Sequence, residues 1–171
     1  DGADDLYTIG TTGSTATAIS GAVTVSDLTI GSDNKPWFAL TPTAGRRLLY
    51  QLNTAAGSAY SLKPGFDNPA NVTAAGGYLY YTQATATKLY RYNTTNGDYA
   101  RITGNSGAMA NLNGTANGRL YFTDTVGIKT VAAAAAATAP GAVTDGAGFT
   151  VVSSGTDDAL YYTRSGGTQL W

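Results

Sequence analysis

Leu79-Tyr80-Tyr81-Thr82 decides how this chain is read, because the segment recurs three more times. Its counterparts are Pro36-Trp37-Phe38-Ala39, Leu120-Tyr121-Phe122-Thr123 and Leu160-Tyr161-Tyr162-Thr163. The second residues, at 37, 80, 121 and 161, stand 43, 41 and 40 positions apart. A period near 41 residues, built from short aromatic strands and turn residues, is the mark of a β-propeller blade. The spacing predicts an all-β chain with a single domain over 1–171. Its form is a propeller, or a propeller arc, of about four four-stranded antiparallel blades. Cut at the strand after the aromatic one, the repeat units run approximately 6–48, 49–88, 89–127 and 128–171.

Working outward, each aromatic segment is followed by a second strand: Leu49-Tyr50-Gln51-Leu52, Leu89-Tyr90-Arg91-Tyr92 and the degenerate Lys129-Thr130-Val131-Ala132. Leu6-Tyr7-Thr8-Ile9 has the same form, and Leu170-Trp171 begins it again. In the clear copies the second and fourth side chains are apolar or aromatic and the third is Thr, Gln or Arg, as a strand with a buried face requires. Turns at 10–13, 53–57 and 93–97 are rich in Asn and Gly, which tolerate positive φ. More polar strands are expected at 16–20, 59–63, 99–103 and 141–144. Small polar strands at 28–30, 71–73, 111–113 and 149–151 suit the crowded innermost position. Ala132–Ala137 has helical propensity but falls where the repeat requires a strand and its turn, and the repeat is followed here. The outer-strand motif occurs at both ends. A closed four-blade ring with a redundant terminal strand and an open arc with exposed edges are therefore both compatible with the sequence.

Composition removes most chemistries. The chain of 171 residues has no His and no Cys, and all 11 of its acidic residues are Asp. A Ser-His-Asp triad, a thiol nucleophile, the usual zinc sites and a Glu/Glu glycosidase pair are excluded by inventory. An Asp/Asp hydrolase or an Asp-lined calcium site is what remains, and the expectation is a protein that is not an enzyme. A net charge of −1 with 12 % charged residues, and no basic stripe, argues against nucleic acid as a partner. No apolar run reaches membrane-spanning length, so membrane insertion is not expected. The start, Asp1-Gly-Ala-Asp-Asp5, does not read as a signal peptide. The Cys-free, Thr/Gly/Asn/Tyr-rich composition fits bacterial secreted proteins, and an extracellular or cell-surface location is expected.

The stretch 77–103, GYLYYTQATATKLYRYNTTNGDYARIT, resembles propeller repeats of bacterial extracellular proteins and the YWTD modules of lipoprotein receptors. Tyr121-Phe122-Thr123-Asp124 is the nearest match to the YWTD signature itself. Gly31-Ser-Asp-Asn-Lys-Pro-Trp-Phe-Ala39 is similar to the repeat of streptogramin lyases. That family's activity implies His and Glu with magnesium, and neither residue type occurs here, so the lyase activity does not transfer. The resemblance implies propeller architecture with a binding or scaffolding role.

Several residues are candidates for function. Trp37, Tyr80, Tyr121 and Tyr161 hold equivalent positions, where aromatic rings either stack on sugar faces or fill the wedge between blades. Arg47 and Arg91, with Arg46, Lys88 and Arg164, cluster near the loop between the second and third strands. There they bind a carboxylated glycan or acidic protein, or simply solvate the surface. No cofactor is expected. The exception the inventory permits is calcium, where Asp1, Asp4 and Asp5 meet Asp157 and Asp158 in a closed ring. Asn71-Val-Thr73, Asn93-Thr-Thr95 and Asn113-Gly-Thr115 are N-glycosylation sequons. The leading expectation is a non-enzymatic binding module whose partner is a glycan or a cell-surface protein. The alternative is a structural subunit of a cell-surface filament, self-associating through its terminal β-strands.

Overall fold

A computed structural model describes residues 7–9, 16–18, 24–41, 46–52, 60–62, 68–83, 85–132, 146–154, 156–164 and 170. Among these, all regular structure is β. Strands β1 (Tyr7–Ile9) and β2 (Ala16–Ala18) pair antiparallel. Sheet I holds β3 (Thr24–Ile30), β4 (Pro36–Thr41), β5 (Leu48–Leu52) and β6 (Tyr60–Leu62), in that order. Sheet II repeats the order with β7 (Pro69–Ala75), β8 (Tyr78–Gln83), β9 (Leu89–Asn93) and β10 (Tyr99–Ile102). Sheet III holds β11 (Ala110–Gly114), β12 (Arg119–Thr123) and β13 (Ile128–Ala132). Sheet IV pairs β14 (Gly146–Ser154) with β15 (Asp157–Arg164), and Leu170 bridges to Thr163 beyond them.

The four aromatic segments are the second strands of the four sheets, in one register. Thr29, Thr73, Asn113 and Thr150 face Trp37, Tyr80, Tyr121 and Tyr161 across the first pairing. The sheets run out of phase with the repeat units 6–48, 49–88, 89–127 and 128–171. A repeat can be cut at any strand, whereas a sheet begins at its innermost one. The turns expected at 10–13 and 53–57, the strand expected at 141–144 and most of the alanine run lie outside the described residues. Ala132 closes β13.

First strands lie side by side: β3 beside β7, β7 beside β11, and β11 beside β14. This stacks the sheets face to face, so the second strands of sheets I, II and III are buried on both faces, whereas β15 alternates exposed and half-buried residues. On β8, Leu79 and Tyr81 pack with Trp37, Ala39 and Leu49 of sheet I. Tyr80, one residue away on the opposite face, packs with Leu120 and Phe122 of sheet III. Each such side chain contributes about 1.5–3 kcal/mol by leaving water.

A repeated device shapes the first strands. Asp27, Asn71 and Asn111 sit at β-bulges with φ of 55°, 50° and 54°. Asn and Asp tolerate this left-handed conformation best among residues with a side chain. In sheets II and III the bulge is locked. Asn71 Nδ2 donates to Thr82 Oγ1 at 3.0 Å, and Thr82 Oγ1 donates to the Ala70 carbonyl at 3.1 Å. Asn111, Thr123 and Ala110 repeat the pattern at 3.2 and 3.1 Å. Sheet I has Ala39 where Thr would stand, and Asp27 is held instead by Arg47 Nη1 at 3.5 Å. Gly114 marks the closest approach of two first strands: a Cβ there would lie 1.8 Å from the Ala74 carbonyl oxygen.

Candidate functional site

Three of the four equivalent aromatics are core. Trp37, Tyr80 and Tyr121 are 1, 0 and 8 % exposed, and each fills the gap towards the following sheet. Trp37 Nε1 donates to Asp33 Oδ1 at 3.2 Å, and its ring meets Tyr92 edge-on at 5.6 Å. Burial pushes the Tyr80 hydroxyl up to about 12, with Arg91 acting in the opposite direction. Tyr161 differs: it is 44 % exposed. Because the first three rings point into successive gaps, they do not form one sugar-stacking surface.

The basic candidates separate as well. Arg47 is committed to Asp27, and its main-chain N–H donates to Asn68 Oδ1 at 3.3 Å. Arg91 lies elsewhere, in a cleft of about 250 Å³ on sheet II, bounded by Tyr78, Asn93, Asn96, Asp98 and Tyr99. Register explains the meeting. Tyr78 pairs with Asn93 across β8 and β9, and Arg91 pairs with Ala100 across β9 and β10. The Arg91 guanidinium carbon stands 5.1 Å from the centre of the Tyr78 ring, a cation–π distance.

The cleft's far wall is the 93–98 turn, built by its own side chains. Asn93 Oδ1 accepts from the N–H of Thr95 at 2.8 Å and of Asn96 at 3.2 Å, an Asx turn. Gly97, at φ 81°, closes it with an N–H donated to the Asn93 carbonyl at 3.0 Å. Asn96 Nδ2 donates to Asp98 Oδ2 at 2.8 Å, and the Asp98 N–H returns to Asn96 Oδ1 at 3.0 Å. Tyr99, 61 % exposed, stands beside this turn. The cleft thus brings the Tyr78 ring, amides, a carboxylate and a guanidinium onto one concave surface, whereas the Tyr99 ring, opposite Tyr92 in the β9–β10 pairing, projects from the other face of the sheet.

Of these residues the sequence pattern singled out Arg91 alone as a ligand. The 93–97 stretch read as a turn and Tyr99 as part of a polar strand. The signal available was Tyr78, an aromatic directly ahead of the repeated Leu79-Tyr80 pair.

A second hollow of about 270 Å³ lies at one end of β3, β7 and β11, lined by small residues such as Gly31, Ala74, Gly114 and Thr115. It presents shape without a titratable group. Among the described residues no group of three or more carboxylates converges, and the Asp1, Asp4 and Asp5 part of the expected calcium site lies outside them. Asp158 instead accepts from Thr115 Oγ1 at 3.1 Å, Asn117 Nδ2 at 2.8 Å, Tyr121 Oη at 3.4 Å and Ser153 Oγ at 2.8 Å. Partial burial pushes its carboxyl up, but the four donors outweigh this and hold it below the ordinary 3.8. Asp1, Asp4 and Asp5 lie outside the described residues, and no described helix is long and apolar enough to cross a membrane.

No protein-family model matches the chain, and no curated protein matches it. Solved structures do share its fold. A luciferin-regenerating enzyme, itself a β-propeller, superposes with a TM-score of 0.59 at 15 % identity, over 90 % of this chain and 59 % of that one. A protein of unknown function from Bacteroides thetaiotaomicron VPI-5482 superposes with a TM-score of 0.50 at 13 % identity, over 71 % and 34 %. The chain thus spans less than two thirds of the length of either. At such identities the likeness concerns the fold alone.

Proposed function

We propose that the stacked sheets are blades of an open β-propeller arc, and that the chain is a non-enzymatic binding module of the cell exterior that captures a glycan. The site is the sheet II cleft. The observation that carries this reading is the convergence of Tyr78 with Arg91, Asn96 and Asp98 around one pre-formed hollow. A pyranose has an apolar C–H face that an aromatic ring covers and a rim of hydroxyls that pair with amides and carboxylates. Arg91 adds donors suited to a sugar carboxylate. Among the described residues Asp98 is the one carboxylate lining the cleft, where glycoside hydrolysis uses a pair, so recognition is the role these groups support.

The size of the cleft sets the affinity. It holds about one sugar ring of roughly 12 non-hydrogen atoms, and at about −0.3 kcal/mol per atom such a ring binds near −4 kcal/mol, in the millimolar range. Useful capture then comes from clustered glycans. Printed glycan arrays probed with fluorescent chain test the reading: wild-type protein marks a defined set of spots, and Tyr78→Ala and Arg91→Ala protein loses them.

A further inference from the structure

We infer that Asn96-Gly97, in the 93–98 turn, is a self-modification site: the folded chain converts this asparagine to aspartate and isoaspartate without an enzyme, ahead of its other Asn-Gly pairs. The inference is independent of what the cleft binds.

The sequence holds three such pairs, Asn96-Gly97, Asn113-Gly114 and Asn117-Gly118. The pair is labile because glycine has no side chain to shield its main-chain nitrogen or to restrict the backbone around it. Asparagine itself is among the thermolabile residues. In the reaction Gly97 N gives up its proton and bonds to Asn96 Cγ. The Cγ–Nδ2 bond breaks, and Nδ2 leaves as ammonia with that proton. Water then opens the cyclic imide. Cleavage between Gly97 N and Cγ gives aspartate. Cleavage between Gly97 N and the Asn96 main-chain carbonyl carbon gives isoaspartate, with the chain rerouted through Cγ.

The fold separates the three pairs. Asn113 lies within β11, where the Gly114 N–H donates to Thr73 Oγ1 at 3.3 Å and Gly114 abuts the Ala74 carbonyl, so the backbone has no room to rotate. Asn117 Nδ2 donates to Asp158 Oδ1 at 2.8 Å, and the Gly118 N–H to the Thr115 carbonyl at 3.1 Å. Freeing Asn117 breaks a tie between sheets III and IV. Asn96 and Gly97 are both exposed, and their hydrogen bonds to Asn93 and Asp98 stay within the turn. The Thr94 N–H is tied to the Gly77 carbonyl at 3.1 Å, which confines opening to 95–98. Exposed turns open locally at low cost. The Asp98 N–H, donating to Asn96 Oδ1 at 3.0 Å, also faces the oxygen on which negative charge develops as the nitrogen adds.

The product alters the cleft. Asn96 Nδ2 donates to Asp98 Oδ2 at 2.8 Å, and after the reaction two carboxylates face each other there. The turn loosens, and the wall facing the cleft gains a negative charge.

Incubation of the full chain in mildly alkaline buffer, folded and in urea, tests the inference. Tryptic peptides 92–101 and 102–119 are followed by mass spectrometry, with fragmentation that assigns each aspartate and isoaspartate to its position. In folded protein Asn96 is expected to react about tenfold faster, or more, than Asn113 and Asn117. In urea, where turn and sheets are lost, the three should react at similar rates. Folded protein in which Asn96 stays intact, or reacts no faster than the other two, overturns the inference. So does a lead for Asn96 that persists unchanged in urea.

Discussion

The Thr115 hydroxyl donates to the Asp158 carboxylate at 3.1 Å, so a turn of sheet III is tied to the second strand of sheet IV by side chains alone. Asn117 and Tyr121 of sheet III join it on the same carboxylate. Between the other sheets apolar packing does most of this work.

The tie predicts a specific acid response. Asp158 titrates below its ordinary 3.8 when folded, because four donors favour the charged form over the opposing effect of burial. A depressed folded value adds stability that is fully present above the unfolded value and is lost as pH falls through the folded one. The urea midpoints of wild type and Asp158→Asn should therefore differ near neutrality and converge as pH drops below about 3.8. A difference that stays constant down to about pH 2 would contradict this.

The opposite sign holds for Tyr80. Burial raises its hydroxyl to about 12 from 10.0, so the neutral form belongs to the folded state. Its contribution is complete below pH 10.0 and declines as pH rises towards 12. Absorbance of phenolate at alkaline pH should show Tyr80 ionising together with loss of β structure. Tyr80→Phe should remove that component. Tyr80→Ala, which empties the gap between sheets II and III, should lower stability by about 3–5 kcal/mol.

Gly114→Ala places a methyl group against the Ala74 carbonyl, where backbone and not a flexible side chain must yield. The expected loss in urea unfolding is about 3 kcal/mol or more. Unchanged stability would mean that β7 and β11 are not in close contact.

The bulge locks give a graded series. Asn71→Ala removes the bond to Thr82 and leaves an ordinary residue at φ 50°, for a loss of about 2 kcal/mol. Asn71→Gly relieves the backbone strain and should lose less. Thermal unfolding of the two variants orders them.

Much of this architecture was legible in the spacing of 37, 80, 121 and 161, because a strand that must bury both faces can hardly be built without aromatic and branched residues. The same logic made those residues poor guides to function: the repeat that betrays Trp37, Tyr80 and Tyr121 is the repeat that buries them. Tyr161 escaped because burial of a second strand depends on the sheet beyond it, which one strand's sequence does not describe. The cleft was legible only through Arg91. Asn93, Asn96 and Asp98 read as turn formers, which they are. Their proximity to Tyr78 comes from strand register, and register appears only once the strands are paired. The bulge asparagines were hidden for a similar reason, since Asn71 and Asn111 read simply as polar residues until their φ values are known.

The most direct test of the binding role is titration of a glycan selected on the array into wild-type, Tyr78→Ala, Arg91→Ala and Trp37→Phe protein, each confirmed folded. The account predicts capture by wild type and by Trp37→Phe, with affinity reduced about tenfold or more, or 1.4 kcal/mol, in each cleft variant. A wild-type chain that marks no glycan, or cleft variants that bind as well as wild type, would contradict it.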